Sequence, residues 1–161
     1  MNDEAAMALA LAEAVKGLGR THPNPAVGAV LVKNGRVIAT GYHAKYGGPH
    51  AEAVALAKAG KAAKGATLYS TLEPCNHHGR TPPCSEAILA AGVLKVVYAS
   101  SDPNPLVNGK GVRRLRAAGL EIRPHVLRGA ADALNQPFLK AMRTGLPFVT
   151  SKAAIDRKSV V

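Results

Sequence analysis

The sequence predicts an α/β protein: a mixed sheet of about five strands with helices covering both faces. Three observations carry this. Short apolar runs of strand length recur along the chain, segments of helical period separate them, and an Asn34-Gly35 pair joins the first two runs. Strands alternating with helices imply a sheet buried on both sides. The Asn-Gly hairpin adds an antiparallel pair, so the sheet is mixed rather than all parallel.

The elements follow in order. Asn2 caps a first helix whose opening turn holds Asp3 and Glu4, and Met7, Ala8, Leu11, Val15 and Leu18 form its expected buried face. Gly17 and Gly19 end it, and His22-Pro23-Asn24-Pro25 is a loop. Ala26 to Val32 and Arg36 to Tyr42 are the hairpin strands. A helix is expected from His50 to about Gly60, a third strand from Ala66 to Thr71, and a polar loop from Glu73 to Pro83. A helix from Cys84 to Ala91 closes at Gly92, and a fourth strand covers Leu94 to Ala99. After a loop from Asp102 to Lys110 come a helix from Val112 to Ala118 and a fifth strand from Leu120 to Arg123. One helix is expected from Ala130 to Arg143, with Leu134, Phe138 and Met142 on its stripe, then a further strand from Leu146 to Ala154. No internal repeat or low-complexity segment interrupts the pattern.

Composition narrows the function. With 161 residues the chain suits one core, and with 4% aromatics that core is built from Ala, Val, Leu and Ile. So few rings argue against a platform for stacking single-stranded bases. The net charge of +11 points to an anionic partner, although the densest basic run is only Arg113-Arg114-Leu115-Arg116 and fits a solvated surface. No basic signal-peptide start precedes the first helix, and the apolar stretch Ala5–Val15 is too short to span a membrane. The expectation is a soluble cytoplasmic chain, in which Cys75 and Cys84 hold metal rather than a disulfide.

Three segments bear chemistry: His50-Ala51-Glu52, Glu73-Pro74-Cys75 and Pro82-Pro83-Cys84. One imidazole and two thiolates make three ligands, which leaves the fourth position of a tetrahedral zinc open to water. Glu52, two residues past His50, can reach that water without ligating, take its proton and return it to a leaving amine. Alone, each residue has an ordinary explanation: a satisfied histidine, two buried thiols, a helix-dipole carboxylate. Together, His-x-Glu with Pro-Cys…Cys matches the signature of the zinc nucleobase deaminases.

One departure makes the resemblance specific. That signature has two residues between the cysteines, whereas here Asn76 to Pro83 make eight. The stretch Thr71 to Cys84 closely resembles the pyrimidine deaminases of riboflavin biosynthesis. So do Thr21 to Gly28, Gly41-Tyr42-His43, Gly48 to Glu52, Asp102-Pro103-Asn104-Pro105, Leu134-Asn135 and Arg143 to Pro147. The resemblance implies a cytidine-deaminase-like three-layer α/β/α sandwich and one zinc ion per chain, held by His50, Cys75 and Cys84 with Glu52 as proton shuttle. It implies the substrate 2,5-diamino-6-(5-phosphoribosylamino)pyrimidin-4-one, losing its C2 amino group as ammonia. Asn24, His43 and His77 match pocket positions, and Arg80, Asp102 and Asn104 match positions near the ribose phosphate. His22, His78 and His125 stay unassigned.

In that family the deaminase is half of a bifunctional deaminase/reductase. The expected division is a deaminase domain over residues 1–145 and a linker with the first strand of a reductase over 146–155. Residues 156–161, Asp-Arg-Lys-Ser-Val-Val, spell out one frame of a common sequencing adapter and are expected to be read-through. NADPH and reductase activity are not expected, nucleic acid and membrane are not the expected partners, and a homo-oligomer is compatible with the family. Three rivals remain open: a tRNA adenosine deaminase, a basic RNA-binding module with structural zinc, and a truncated fragment without function.

Overall fold

The computed structural model of the protein describes residues 1–78, 82–105 and 107–153. Five strands make one sheet in the order β2-β1-β3-β4-β5. They are β1 (Gly28–Lys33), β2 (Arg36–Tyr42), β3 (Thr67–Leu72), β4 (Lys95–Ser100) and β5 (Glu121–Arg123). β1 runs antiparallel to β2 and β3, while β3, β4 and β5 are parallel, so the sheet is mixed as expected. The hairpin turns through Asn34 and Gly35, both at positive φ (50° and 73°). That geometry is what an Asn-Gly pair supplies cheaply, and its twist matches the strands.

The three central strands are buried along almost their whole length, because helices cover both faces. Helices α2 (Ala51–Ala59), α3 (Cys84–Ala90) and α4 (Lys110–Ala117) lie on one side. There Ala29, Leu31, Leu68, Leu72 and Val96 of the sheet meet Ala55, Ile88 and Leu115. Helices α1 (Asp3–Val15) and α5 (Arg128–Leu134) lie on the other, where Val30, Val32, Tyr69 and Val97 meet Met7, Ala10 and Ala131. The layers are therefore α/β/α. A short 3₁₀ turn, Gly60–Ala63, extends α2, and α6 (Gln136–Thr144) follows α5.

The helices come unusually close to the strands. A Cβ added to Gly28 would lie 2.0 Å from the Ala10 carbonyl oxygen, and one on Gly41 would lie 2.4 Å from that of Ala51. Helix backbone therefore rests on strand backbone at both seats, at Ala10 and Ala14 over Gly28 and at Ala51 and Ala55 over Gly41. This corrects the expected face of α1. The buried residues are Ala6, Met7, Ala10 and Ala14, whereas Ala8 and Val15 within the helix, and Leu18 beyond it, are exposed and Leu11 is half-buried. Hydrophobicity favoured the larger residues, but the distance to β1 admits only the small ones.

Two further expectations fail. The helix expected over Ala130–Arg143 is two helices broken at Asn135, and its buried residues are Ala131 and Leu139 rather than the stripe Leu134, Phe138 and Met142. The buried Asn135 amide accepts from the Ala26 backbone N–H and donates to the Ala26 carbonyl, both at 2.9 Å. This pairing, and Pro137 in the next turn, hold the chain out of a continuous helix. Residues 146–153 form no strand. Strand conformation is stabilised by a ladder, and among the described residues the sheet's five strands pair only with one another. The expectations for 154–161 lie outside the described residues. Among those described, no helix is long and apolar enough to cross a membrane.

The start of α1 is tied to the sheet by charge. Asp3 accepts from the Tyr69 hydroxyl at 2.6 Å and from Arg123 at 2.5 Å, and Lys95 lies 3.8 Å away. Burial pushes the Asp3 carboxyl up, but Tyr69, Lys95 and Arg123 outweigh it and hold it below the ordinary 3.8. A depressed carboxylate stabilises the fold above its unfolded pKa, and that contribution is lost as pH falls through the folded pKa. Asp3→Asn should therefore lose about 1–2 kcal/mol at pH 7. Urea melts of parent and variant should converge below about pH 4.

Candidate functional site

The ends of three elements converge beyond the C-terminal end of the central strand, β3. His50 is the N-cap of α2, Cys75 lies just past the end of β3, and Cys84 opens α3. The His50 Nδ1 lies 3.2 Å from the Cys84 Sγ and 3.5 Å from the Cys75 Sγ, and all three donor atoms fall within 4.8 Å of one another. Both cysteines are buried and free, so the sulfurs are not tied to each other.

The cluster passes a test of fit for zinc on its own geometry. Tetrahedral zinc with bonds of about 2.0–2.3 Å sets neighbouring N and S donors about 3.5–3.8 Å apart. The observed spacings are close to that, and three protein donors leave one position for water. The surroundings also favour the ligating form at Cys75. The Cys84 backbone N–H donates to the Cys75 Sγ at 3.4 Å. The adjacent Cys84 thiol, His50 and that amide draw Cys75 down to about 4, against the pull of burial. Cys84 moves up, because Cys75 and burial both favour its proton. The two sulfurs thus oppose one another: negative charge on Cys75 favours the proton on Cys84.

Glu52 lies in the first turn of α2 and is 4% exposed. Burial raises its carboxyl above the ordinary 4.5, while His50 opposes the shift. It faces the same cavity as His50 and Cys75, a hollow of about 270 Å³. Five of the six residues expected to contact substrate line that hollow: Asn24, His43, His77, Asp102 and Asn104. The sixth, Arg80, lies outside the described residues.

Local bonding fixes several of these side chains. His43 is buried behind the metal cluster, its ring edge-on to that of His50 with centroids 5.7 Å apart. Its Nδ1 lies 2.9 Å from the Pro49 carbonyl oxygen, which can only accept. The proton is therefore on Nδ1, and Nε2 is left to accept from the Asn24 amide at 3.4 Å. Burial, first, and the neighbouring His50 lower the His43 pKa, consistent with a neutral ring. Asn24 thus spends an N–H on His43 and keeps its Oδ1 as an acceptor. Asp102 caps its own turn, accepting from the Asn104 backbone N–H at 2.8 Å, and also lines the cavity.

The cavity has walls that the sequence motifs did not reveal. Tyr46, Glu73, Val107 and Phe138 line it. Glu73 stands inside the quoted Glu73-Pro74-Cys75 segment, and a carboxylate at a strand end beside a ligand is a readable signal. It is buried, and burial raises its pKa while the Gly109 and Asp102 amides oppose that. Phe138 arrives on α6, which Asn135 redirects, and no local pattern announces it.

Comparison with known proteins agrees with this geometry. Residues 1–100 match the model of the cytidine and deoxycytidylate deaminase zinc-binding region. The chain is 51% identical over 163 aligned positions to riboflavin biosynthesis protein RibD of Escherichia coli (strain K12), covering 100% of this chain and 44% of that protein. It thus spans less than half the length of that relative. A shorter relative, the diaminohydroxyphosphoribosylamino-pyrimidine deaminase of Buchnera aphidicola subsp. Schizaphis graminum, is 47% identical across 91% of this chain and 100% of its own length. Among solved structures, RibD of Acinetobacter baumannii superposes with a TM-score of 0.89 at 54% identity, covering 91% of this chain and 41% of that one. A zinc-binding-region match over residues 1–100, joined to a relative aligned along its whole length, places this chain in the cytidine and deoxycytidylate deaminase family, alongside the deaminases of riboflavin biosynthesis.

Proposed function

We propose that this chain hydrolyses 2,5-diamino-6-(5-phosphoribosylamino)pyrimidin-4-one to 5-amino-6-(5-phosphoribosylamino)uracil and ammonia, using one zinc ion. The observation that carries the reading is a three-donor His50/Cys75/Cys84 cluster, two of whose members, His50 and Cys75, line one cavity together with buried Glu52. A structural zinc site is closed by four protein ligands and has no use for a carboxylate beside it. The eight-residue spacing between the cysteines and the full-length match to the Buchnera deaminase favour this substrate over an adenosine in tRNA.

Zinc held by His50, Cys75 and Cys84 would acidify a water molecule toward neutral pH and supply a Lewis acid. Glu52 takes a proton from water as oxygen adds to C2 of the ring. The same carboxyl passes that proton to the ring nitrogen whose double bond to C2 opens, then carries the added hydroxyl's remaining proton to the amino nitrogen, so the bond from C2 to the amino group breaks, ammonia leaves and a C2 carbonyl remains. Burial suits Glu52 to this shuttle because it brings the affinities of the two states for the proton closer together. Asn24, with Oδ1 left as an acceptor, suits a ring bearing N–H groups, and His43 keeps it so oriented. Asp102 and Asn104, which line the cavity, and Arg80 are the residues that the resemblance assigns to the ribose phosphate, to which a guanidinium is suited in bidentate fashion. The reaction is a hydrolysis with no net redox change, so it needs no nicotinamide.

Three outcomes test this reading. The purified chain should release ammonia from the phosphoribosylaminopyrimidine and lose that activity with a strong zinc chelator; faster release from tRNA would overturn the substrate assignment. Glu52→Gln should keep its zinc but lower kcat by about 10²–10⁴-fold. Metal analysis should find about one zinc per parent chain, and Cys84→Ser should lose most of it, because an alcohol at that position remains protonated.

A further inference from the structure

We propose that Asn76, Ser85 and Arg114 form a bridge that sets the two cysteine sulfurs at ligand spacing before metal binds; this rests on the zinc reading above. The two ligands stand at the ends of a long excursion, Cys75 to Cys84. Left to itself, a loop of that length would pay an ordering penalty each time it gathered both sulfurs around an ion. The residue after each cysteine meets its counterpart across the gap. The Ser85 Oγ donates to the Asn76 Oδ1 at 2.6 Å. A second rung runs from the Ser85 backbone N–H to the Cys75 carbonyl at 3.1 Å.

Arg114 locks this closure from α4. Its Nη1 donates to the same Asn76 Oδ1 at 2.9 Å and pairs with the Glu86 Oε1 at 3.0 Å. Glu86 also faces the His78 Nε2 at 3.5 Å. One amide oxygen thus receives donors from both α3 and α4, and it belongs to the residue beside a ligand. The helix that delivers Arg114 is itself seated against the loop. A Cβ on Gly111 would lie 1.9 Å from the Pro74 carbonyl oxygen, so α4 rests directly on the strand end that carries Cys75. Ser85 is fully buried, whereas the Arg114 side chain is 42% exposed. An exposed arginine is a weak source of fold stability. Its place in this network gives the second residue of the Arg113-Arg114-Leu115-Arg116 run a task other than solvation. Asn76, Ser85 and Arg114 touch no ligand atom of the metal in this arrangement, so they are positioning residues.

The experiment titrates zinc alone into the apo form of the full chain against a chromogenic chelator, with a thermal melt of each apo variant. Asn76→Ala and Ser85→Ala should weaken zinc binding about 10–100-fold, the range for partners that orient metal ligands. Arg114→Ala should weaken it in the same direction. Asn76→Asp keeps an acceptor oxygen for Ser85 and Arg114 and should recover most of the affinity, which general damage to packing would not produce. Should Ser85→Ala fail to fold, Asn76→Ala and the exposed Arg114→Ala decide the matter. Parent-like zinc affinity in both of those folded variants overturns the bridge and leaves the metal site standing. A parent chain that takes up no zinc overturns the metal reading and the bridge together.

Discussion

Everything in this protein answers to the need to bring one ring nitrogen and two sulfurs within 4.8 Å of one another. The three donors come from positions far apart in the chain, two at the starts of helices and one past a strand end. The start of α3 is suited to the work, since its first backbone N–H, that of Cys84, points at the Cys75 sulfur. The sheet supplies the fixed distance between them. β1 pairs with β3 in register, α2 rests on β1 and β2, and the Cys84 amide reaches the Cys75 sulfur. Each contact removes a freedom that would otherwise have to be lost when an ion binds.

The second demand is electrostatic. Glu52 and Cys84 are both buried, and burial works against a charge on either. Such groups are tolerated only where a compensating charge is at hand. The same low-polarity environment is what makes a proton worth moving there, because it brings the carboxyl and its partners near to balance. His43 shows how an uncharged neighbour is managed. Its bonds to Pro49 and Asn24 occupy both ring nitrogens in the neutral form.

Much of this was legible in the residues. Asn34-Gly35 announced the hairpin, period and apolar runs gave the five strands to within two residues, and Gly92 closed α3 as a helix-ending glycine does. His50, Glu52, Cys75 and Cys84 were legible because metal ligation and proton transfer admit few residue types. The failures share a cause. Leu11 and Val15 were chosen for the face of α1 on hydrophobicity, whereas the depth of contact with Gly28 selects Ala10 and Ala14. Asn135 broke a helix through a bond to Ala26, more than a hundred positions away in sequence, and local propensity carries no trace of such a bond. Phe138 joined the cavity wall for the same reason. The extended stretch after Gly145 looked like a strand by composition, but a strand is a relation between segments and none lay beside it.

The seat of α2 on Gly41 divides the molecule into parts of unequal plasticity. Since main chain meets main chain there, the pose of His50 and Glu52 is indifferent to which side chains surround it, provided that glycine remains. Phe138 reaches the cavity from a different helix, α6, whose start is set by the Asn135 bonds to Ala26. A change of side chain at Phe138 therefore reshapes the cavity and leaves the seat of α2 on Gly41 where it is.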